Sequence, residues 1–228
     1  MEETKDYIGH RQRLKERFLH SNGSDMADYE LLELLLTLAI PRKDTKPLAK
    51  ALIKEFGSFA GVLGADNMRL MAFSGLKENT IFIFSIVKEA ALRMTWQNLC
   101  NSDQPIIATW DAMLDYCRMK LAHKDHEELM LIFLDAKLQV IGEEVQQRGT
   151  TDNVAIHPAE VVKSSVFHSA KSLIMVHNHP SGHVTPSKAD IMATKQVKTG
   201  LESVSIKLQD HLIIGKTEYY SFREHDII

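Results

Sequence analysis

The chain has 228 residues, of which 44% are hydrophobic and 25% charged, with a formal net charge of −3 at neutral pH; that is an ordinary globular composition, and it argues against a polycation that binds nucleic acid by bulk charge. No apolar run approaches the roughly 18 residues of a membrane-spanning helix, and the charged Met1–Asp6 segment has no apolar core, so neither a membrane span nor a secretory signal is expected. The two cysteines, Cys100 and Cys117, form no C-x-x-C pair, which suggests inert thiols in a reduced, cytoplasmic protein.

Residues 1–95 read as helix throughout. Arg11, Arg13, Lys15 and Arg17 make a basic amphipathic stretch that reads first as a solvated helix face, with a set of phosphate contacts as the second reading. Asp28 to Ile40 is a strongly apolar helix stopped by Pro41. A helix opening at Asp44-Thr45-Lys46-Pro47 runs to Phe56, with Gly57 as its stop. Short helical pieces punctuated by Gly61, Gly64 and Gly75 follow, then one long helix from Lys77 to Met94. Asn98 to Pro105 is polar and turn-rich, a linker between a helical domain at 1–100 and a second domain at 105–228.

Beyond the linker the hydrophobic period changes. Thr109 to His123 is helical, Glu128 to Leu134 a buried strand, and Leu138 to Arg148 a second strand closed by Gly149. His157-Pro158 opens a helix to about Ala170, and Leu173 to His179 is a strand. Pro186 to Gly200 is a helix, and Ser205 to Ile214 and Glu218 to Phe222 close the chain as strands. Strands alternating with helices predict a mixed sheet between helical layers, an α/β/α domain behind an all-α one, α+β overall.

The chemistry concentrates between His177 and Asp190. His177 and His179 are two apart at the end of the apolar run Leu173-Ile174-Met175-Val176, so a strand presents both imidazoles on one face. Seven residues then separate His179 from Ser187, and two more separate Ser187 from Asp190. Thr185-Pro186 reads as a helix start, with Thr185 as N-cap and Pro186 at the first helical position. Ser187 and Asp190, three apart, share a face of that helix. Ser-x-x-Asp at a helix start is also a capping box, which needs no metal. Two nitrogens and one carboxylate oxygen at this spacing make a three-ligand zinc site, with Ser187 beside it and the fourth position open, the pattern of catalytic zinc.

The spacing His-x-His-x7-Ser-x2-Asp resembles the JAMM motif of MPN-type zinc metallopeptidases. The wording around it, His177-Asn178-His179-Pro180-Ser181-Gly182 and Asp210-His211-Leu212-Ile213-Ile214-Gly215, resembles the RadC family in particular. The likeness covers nearly the whole chain. In the N-terminal half it is to a helix-hairpin-helix module, of which Ser74-Gly75-Leu76-Lys77-Glu78 keeps one glycine. Lys77 stands where a second glycine is usual, which hinders close approach of a phosphate to the backbone.

The resemblance implies a cytidine-deaminase-like MPN fold and a metallohydrolase acting on an amide or isopeptide bond of a peptide or protein substrate. Zn²⁺ would be held by His177, His179 and Asp190, with Ser187 donating to a developing oxyanion. It also implies a glutamate acid/base in the segment Gly142-Glu143-Glu144-Val145-Gln146-Gln147-Arg148-Gly149-Thr150. The glutamate five residues before the glycine is Glu144, and in a regular strand its neighbour Glu143 faces the other way. Two solvent-facing edge glutamates are the alternative. His123, His126, His157 and His168 read as surface or structural residues, His183 as a candidate substrate contact and His211 as a donor to the site. Two other functions stay open: a DNA-associated repair or recombination factor binding DNA weakly through the N-terminal domain, and an MPN interaction module without catalysis.

Overall fold

A computed structural model describes residues 3–102, 104–148 and 156–228. It divides into two compact units, residues 1–89 and 90–228. The division falls inside the long sixth helix, which continues to Cys100 through the start of the stretch expected as linker.

The first unit contains α1 (Glu3–Ser21), α2 (Asp28–Ala39), α3 (Lys46–Phe56), α4 (Phe59–Gly64), α5 (Asn67–Ala72) and the first half of α6 (Glu78–Cys100). Its core gathers Leu32 and Leu36 of α2, Ala49 and Leu52 of α3, Val62, Leu70, Leu76, Ile81 and Phe84. The turn into α6 depends on Gly75, whose φ of +95° suits glycine and which lies against Leu48. The basic run of α1 is divided by this packing. The Arg11 guanidinium donates to the backbone carbonyls of Ile40, Pro41 and Lys43, closing the C-terminal end of α2. Arg17 pairs with Glu30. Arg13 and Lys15 remain exposed. Half of the expected phosphate contacts therefore hold the fold instead.

The second unit is a five-stranded sheet between helical layers. A short 3-10 turn (Ile106–Thr109) leads into α7 (Trp110–Leu121), followed by β1 (Glu128–Leu134), β2 (Val140–Arg148), α8 (Pro158–Phe167), β3 (Ser172–Asn178), α9 (Lys188–Ser203), β4 (Lys207–Ile214) and β5 (Tyr219–Ser221). The strand order is β2-β1-β3-β4-β5, antiparallel except for the β3–β4 pair. The mixed sheet expected from the alternation of strands and helices is thus present. Its parallel pair is joined by α9, as a crossover between parallel strands requires.

Side chains alternate across the sheet. Met130, Ile132, Leu134, Ile174, Val176, Leu212 and Ile214 meet α7 and the end of α6. Leu129, Leu131, Phe133, Leu173 and Met175 meet α8 and α9 through Val161, Val197 and Leu201. β1 and β3 are buried along their whole length, which explains their unbroken apolar reading.

The helix after the histidine motif begins two residues later than its Thr-Pro sequence suggests. Its N-cap is Ser187, in extended conformation (φ −73°, ψ 165°), and not Thr185. The Ser187–Asp190 pair satisfies two backbone amides at once, outcompeting the Thr185 cap. The loop from β3 to α9 is seated on the end of β4: His179 N donates to Ile214 O at 3.0 Å, and a Cβ on Gly215 would stand 2.8 Å from both Gly182 O and Val184 Cγ1.

Two outcomes follow. Gly215→Ala should destabilise the protein by about 1–3 kcal/mol through overpacking against backbone, read as a lowered denaturation midpoint. Arg11→Ala should lower stability by about 1 kcal/mol through the lost carbonyl partner, whereas Arg13→Ala and Lys15→Ala should each stay within about 0.5 kcal/mol; equal effects of all three in urea unfolding would contradict the division of the basic run.

Candidate metal centre

The centre is assembled at the C-terminal end of β3 and the N-terminal end of α9, where a parallel strand hands over to its crossover helix. Open α/β sheets bind ligands at such strand ends. β3 has hydrogen-bonded neighbours on both edges and helices on both faces, so His177 is fully buried and its direction is set by the pleat. It points to the α8/α9 face with Met175 and Leu173, two and four residues before it. His179 lies just beyond the last strand residue, yet its ring returns to the same point. His177 Nε2 and His179 Nε2 are 3.1 Å apart.

Asp190 approaches from the helix, with Oδ1 3.8 Å from His177 Nε2 and Oδ2 3.9 Å from His179 Nε2. One donor atom from each of His177, His179 and Asp190 lies within 4.8 Å of the other two, a group that can hold a metal ion. The donor chemistry fits zinc. Nδ1 of His179 faces the carbonyl oxygen of His183 at 2.6 Å, and a carbonyl only accepts, so the ring hydrogen is on Nδ1 and the Nε2 lone pair is free. Burial holds the His177 imidazole neutral, well below the usual histidine range. Two imidazole nitrogens and a carboxylate oxygen are a donor set that suits zinc.

The capping box and the ligand set use the same residues. Ser187 Oγ accepts from Asp190 N at 3.1 Å, and Asp190 Oδ2 accepts from Ser187 N at 2.7 Å. The carboxylate is thereby aimed at the histidines with its negative charge at the positive end of the α9 dipole. Ser187 is exposed, and its hydroxyl hydrogen is not consumed by the cap, in which the oxygen is the acceptor.

The two candidate glutamates separate across the sheet. Glu144 pairs with Leu131, which pairs with Met175, so it lies on the His177 face. Glu143 pairs with Ile132 and faces α7, where it accepts from Tyr116 at 2.7 Å and forms an ion pair with Lys120. Burial and the Glu143 carboxylate together keep the Tyr116 hydroxyl protonated. Glu144 is not one of the three converging donors. Its carboxylate accepts from Ser164, from Gln146 Nε2 at 3.2 Å and from His168 Nε2 at 3.3 Å. The Ser164 hydroxyl above all, then Gln146 and His168, holds Glu144 below the usual carboxylate range against a smaller effect of burial. Gly149 and Thr150, which end the glutamate segment, lie outside the described residues.

Other histidines make defined contacts in the same unit. His168 stacks on Phe133, with ring centroids 4.1 Å apart, and so positions its nitrogen for Glu144. His126 bridges Asp125 and Glu128, while Asn178, between the two motif histidines but on the opposite face, receives Glu128 N and donates to His126 O. His183 contributes its carbonyl. His211 is fully buried, with Nε2 2.8 Å from His177 Nδ1 and Nδ1 2.6 Å from Thr194 Oγ1. Thr194 escaped the sequence reading; its only signal was a position four residues after Asp190, one helical turn below the ligand.

The family model for the RadC-like JAB domain matches residues 107–227. A UPF0758 protein of Rhodobacter capsulatus is 44% identical over 215 residues, covering 94% of this chain and 100% of that protein. The UPF0758 protein SPO0054 of Ruegeria pomeroyi is 44% identical over 214 residues, covering 94% of this chain and 95% of its own length. With the motif, the sheet that carries it and relatives matched over nearly their full length, the chain belongs to the RadC family and carries its JAB domain in the C-terminal half.

Proposed function

We propose that this protein is a zinc-dependent hydrolase of amide or isopeptide bonds, with a peptide or protein as substrate. The observation that carries the reading is the convergence of His177 Nε2, His179 Nε2 and an Asp190 oxygen within 4.8 Å at the end of β3. Bound zinc supplies a Lewis acid that makes water a nucleophile near neutral pH. The protein's own groups do the rest. His177 and His179 hold the position through fixed ring nitrogens, and Asp190 balances charge from the helix end. Glu144, kept ionised by Ser164, Gln146 and His168, accepts a proton from the attacking water and returns it to the leaving amine. The Ser187 hydroxyl, exposed and with its hydrogen uncommitted to the cap, donates to the oxygen that gains charge.

A DNA-associated role has less support. Arg11 and Arg17 are occupied within the helical unit, which leaves Arg13 and Lys15 as the members of that run facing solvent. Among the described residues no helix is long and apolar enough to cross a membrane.

Purified protein should bind about one zinc per chain, as a single three-ligand site implies. His177→Ala and Asp190→Ala should lose most of it, and Glu144→Gln should retain it. Zinc content measured by atomic emission decides: ligand variants that keep full occupancy remove the assignment. Chelation should leave the fold intact, because two apolar cores flank the sheet independently of the site; loss of cooperative melting on chelation would mark a structural metal instead.

For catalysis, digestion of a peptide library with and without chelator should reveal a chelator-sensitive activity. Glu144→Gln should lower it by a factor of at least about 10², and Ser187→Ala by about 10²–10³. Glu143→Gln should keep most of the rate but cost about 1 kcal/mol or more of stability, since Lys120 and Tyr116 lose their charged acceptor. Full activity in Glu144→Gln would transfer the proton-accepting role to another group.

A further inference from the structure

Three side chains behind the metal centre form one hydrogen-bonded line that leads out of it. Thr194 Oγ1 lies 2.6 Å from the Asp190 carbonyl oxygen and 2.6 Å from His211 Nδ1. His211 Nε2 lies 2.8 Å from His177 Nδ1. All three side chains are fully buried, so each depends on hydrogen-bond partners inside the protein.

The hydrogens along this line have one consistent order. Thr194 has a single hydroxyl hydrogen, and the Asp190 carbonyl can only accept. The hydrogen therefore goes to that carbonyl, the usual back-bond of a helical threonine to the residue four before it. Thr194 Oγ1 is then an acceptor toward His211, whose ring hydrogen sits on Nδ1. Both rings are fully buried, which disfavours a second, charge-bearing hydrogen on either. His211 Nε2 is thus a lone pair, and it accepts from His177 Nδ1–H. That leaves His177 Nε2 as a lone pair, directed at His179 Nε2 at 3.1 Å.

We propose that Thr194 and His211 are positioning residues that fix the hydrogen of His177 on Nδ1 and so preset its Nε2 to take the metal. The proposal rests on the metal reading above and adds to it the source of the ligand's orientation. The hydrogen order is dictated at its far end by a main-chain carbonyl of Asp190 itself. The helix ligand and the strand ligand are thereby linked through the protein as well as at the metal.

The backbone prepares this line. Between Leu173 and Ile174 of β3 and their partners Leu208 and Asp210, the pairing with β4 skips Gln209. That irregularity lets Leu208 reach the α8/α9 core and still returns His211 to the same face, beside Met175 and one step from His177. Asp210 is turned to the opposite face, where Ser221 Oγ donates to it at 2.6 Å. Phe222 stacks on the His211 ring, with centroids 4.5 Å apart, and holds its plane.

The test reads hydrogens and metal separately. In metal-free protein labelled with ¹⁵N-histidine, long-range ¹H–¹⁵N correlation should show His177 and His211 both protonated at Nδ1 and bare at Nε2. Thr194→Val keeps the shape but removes the acceptor for His211 Nδ1–H. His211 should then carry its hydrogen on Nε2, and His177 should move its own from Nδ1 to Nε2. Zinc affinity, measured by competition with a chromophoric chelator, should fall about 10- to 100-fold. Thr194→Ser should restore both readouts. His211→Gln, which offers a carbonyl acceptor, should bind zinc better than His211→Leu. A wild-type His177 protonated at Nε2, or a Thr194→Val variant with unchanged ring hydrogens and unchanged affinity, overturns the proposal. A wild-type protein with the expected ring hydrogens that takes up no zinc removes the metal reading and leaves the ordering of the hydrogens standing.

Discussion

The burial of β3 between β1 and β4 is the constraint on which the centre depends. A strand paired on both edges and covered on both faces has no freedom to rotate. His177, at its end, inherits that rigidity, and the first ligand needs no mobile loop to aim it. His179 lies past the strand and is recovered by two backbone-anchored contacts: its amide on Ile214 O and its ring on His183 O. The loop returns close to where it left, over Gly215, and delivers α9 with Asp190 in its first turn.

A capping box and a metal ligand are usually rival readings of Ser-x-x-Asp. Here one geometry satisfies the cap and leaves the carboxylate facing the two histidines. The Asp190 carboxylate accepts the Ser187 amide through one oxygen and faces His177 with the other. A cap fixes a side chain to within a rotamer, which is what a ligand requires. The same interaction explains why the helix starts at Lys188: the Ser187 amide that a Thr185 cap could take is already given to Asp190.

The sheet also sorts charge. Glu143 and Glu144 are chemically identical neighbours, yet one is committed to Lys120 and Tyr116 against α7 and the other to Ser164 and His168 against α8. Among the cysteines, Cys117 is buried, and desolvation, with a smaller push from Glu143, raises its thiol far out of the reactive range. Cys100 is exposed and its thiol too is shifted upward, first by desolvation and then by Glu143.

Much of this was readable in the chain. The β1 apolar run from Glu128 to Leu134, the strand–turn–helix grammar around His177 and the change of period near residue 105 are local properties, set by side-chain type and spacing. The i, i+2 rule set both imidazoles on one face in the sequence reading, although His179 reaches it from beyond the strand through backbone contacts, and the ligand spacing named the family. What the sequence left open was whatever depends on partners distant in the chain. Arg11 and Arg17 look alike in a basic run until the segment just after α2 supplies carbonyls to one and Glu30 of α2 pairs with the other. The choice between Glu143 and Glu144 needed the register with β1, which includes a bulge at Gln146 that no propensity announces. His211 and Thr194 are 17 residues apart, and only the β3-α9-β4 crossover, with its irregularity at Gln209, lays them end to end behind His177. Local pattern determined which residues could bind a metal; tertiary packing decided which hydrogen bonds hold them, because hydrogen-bond partners in a buried sheet are chosen by register and topology rather than by neighbours in sequence.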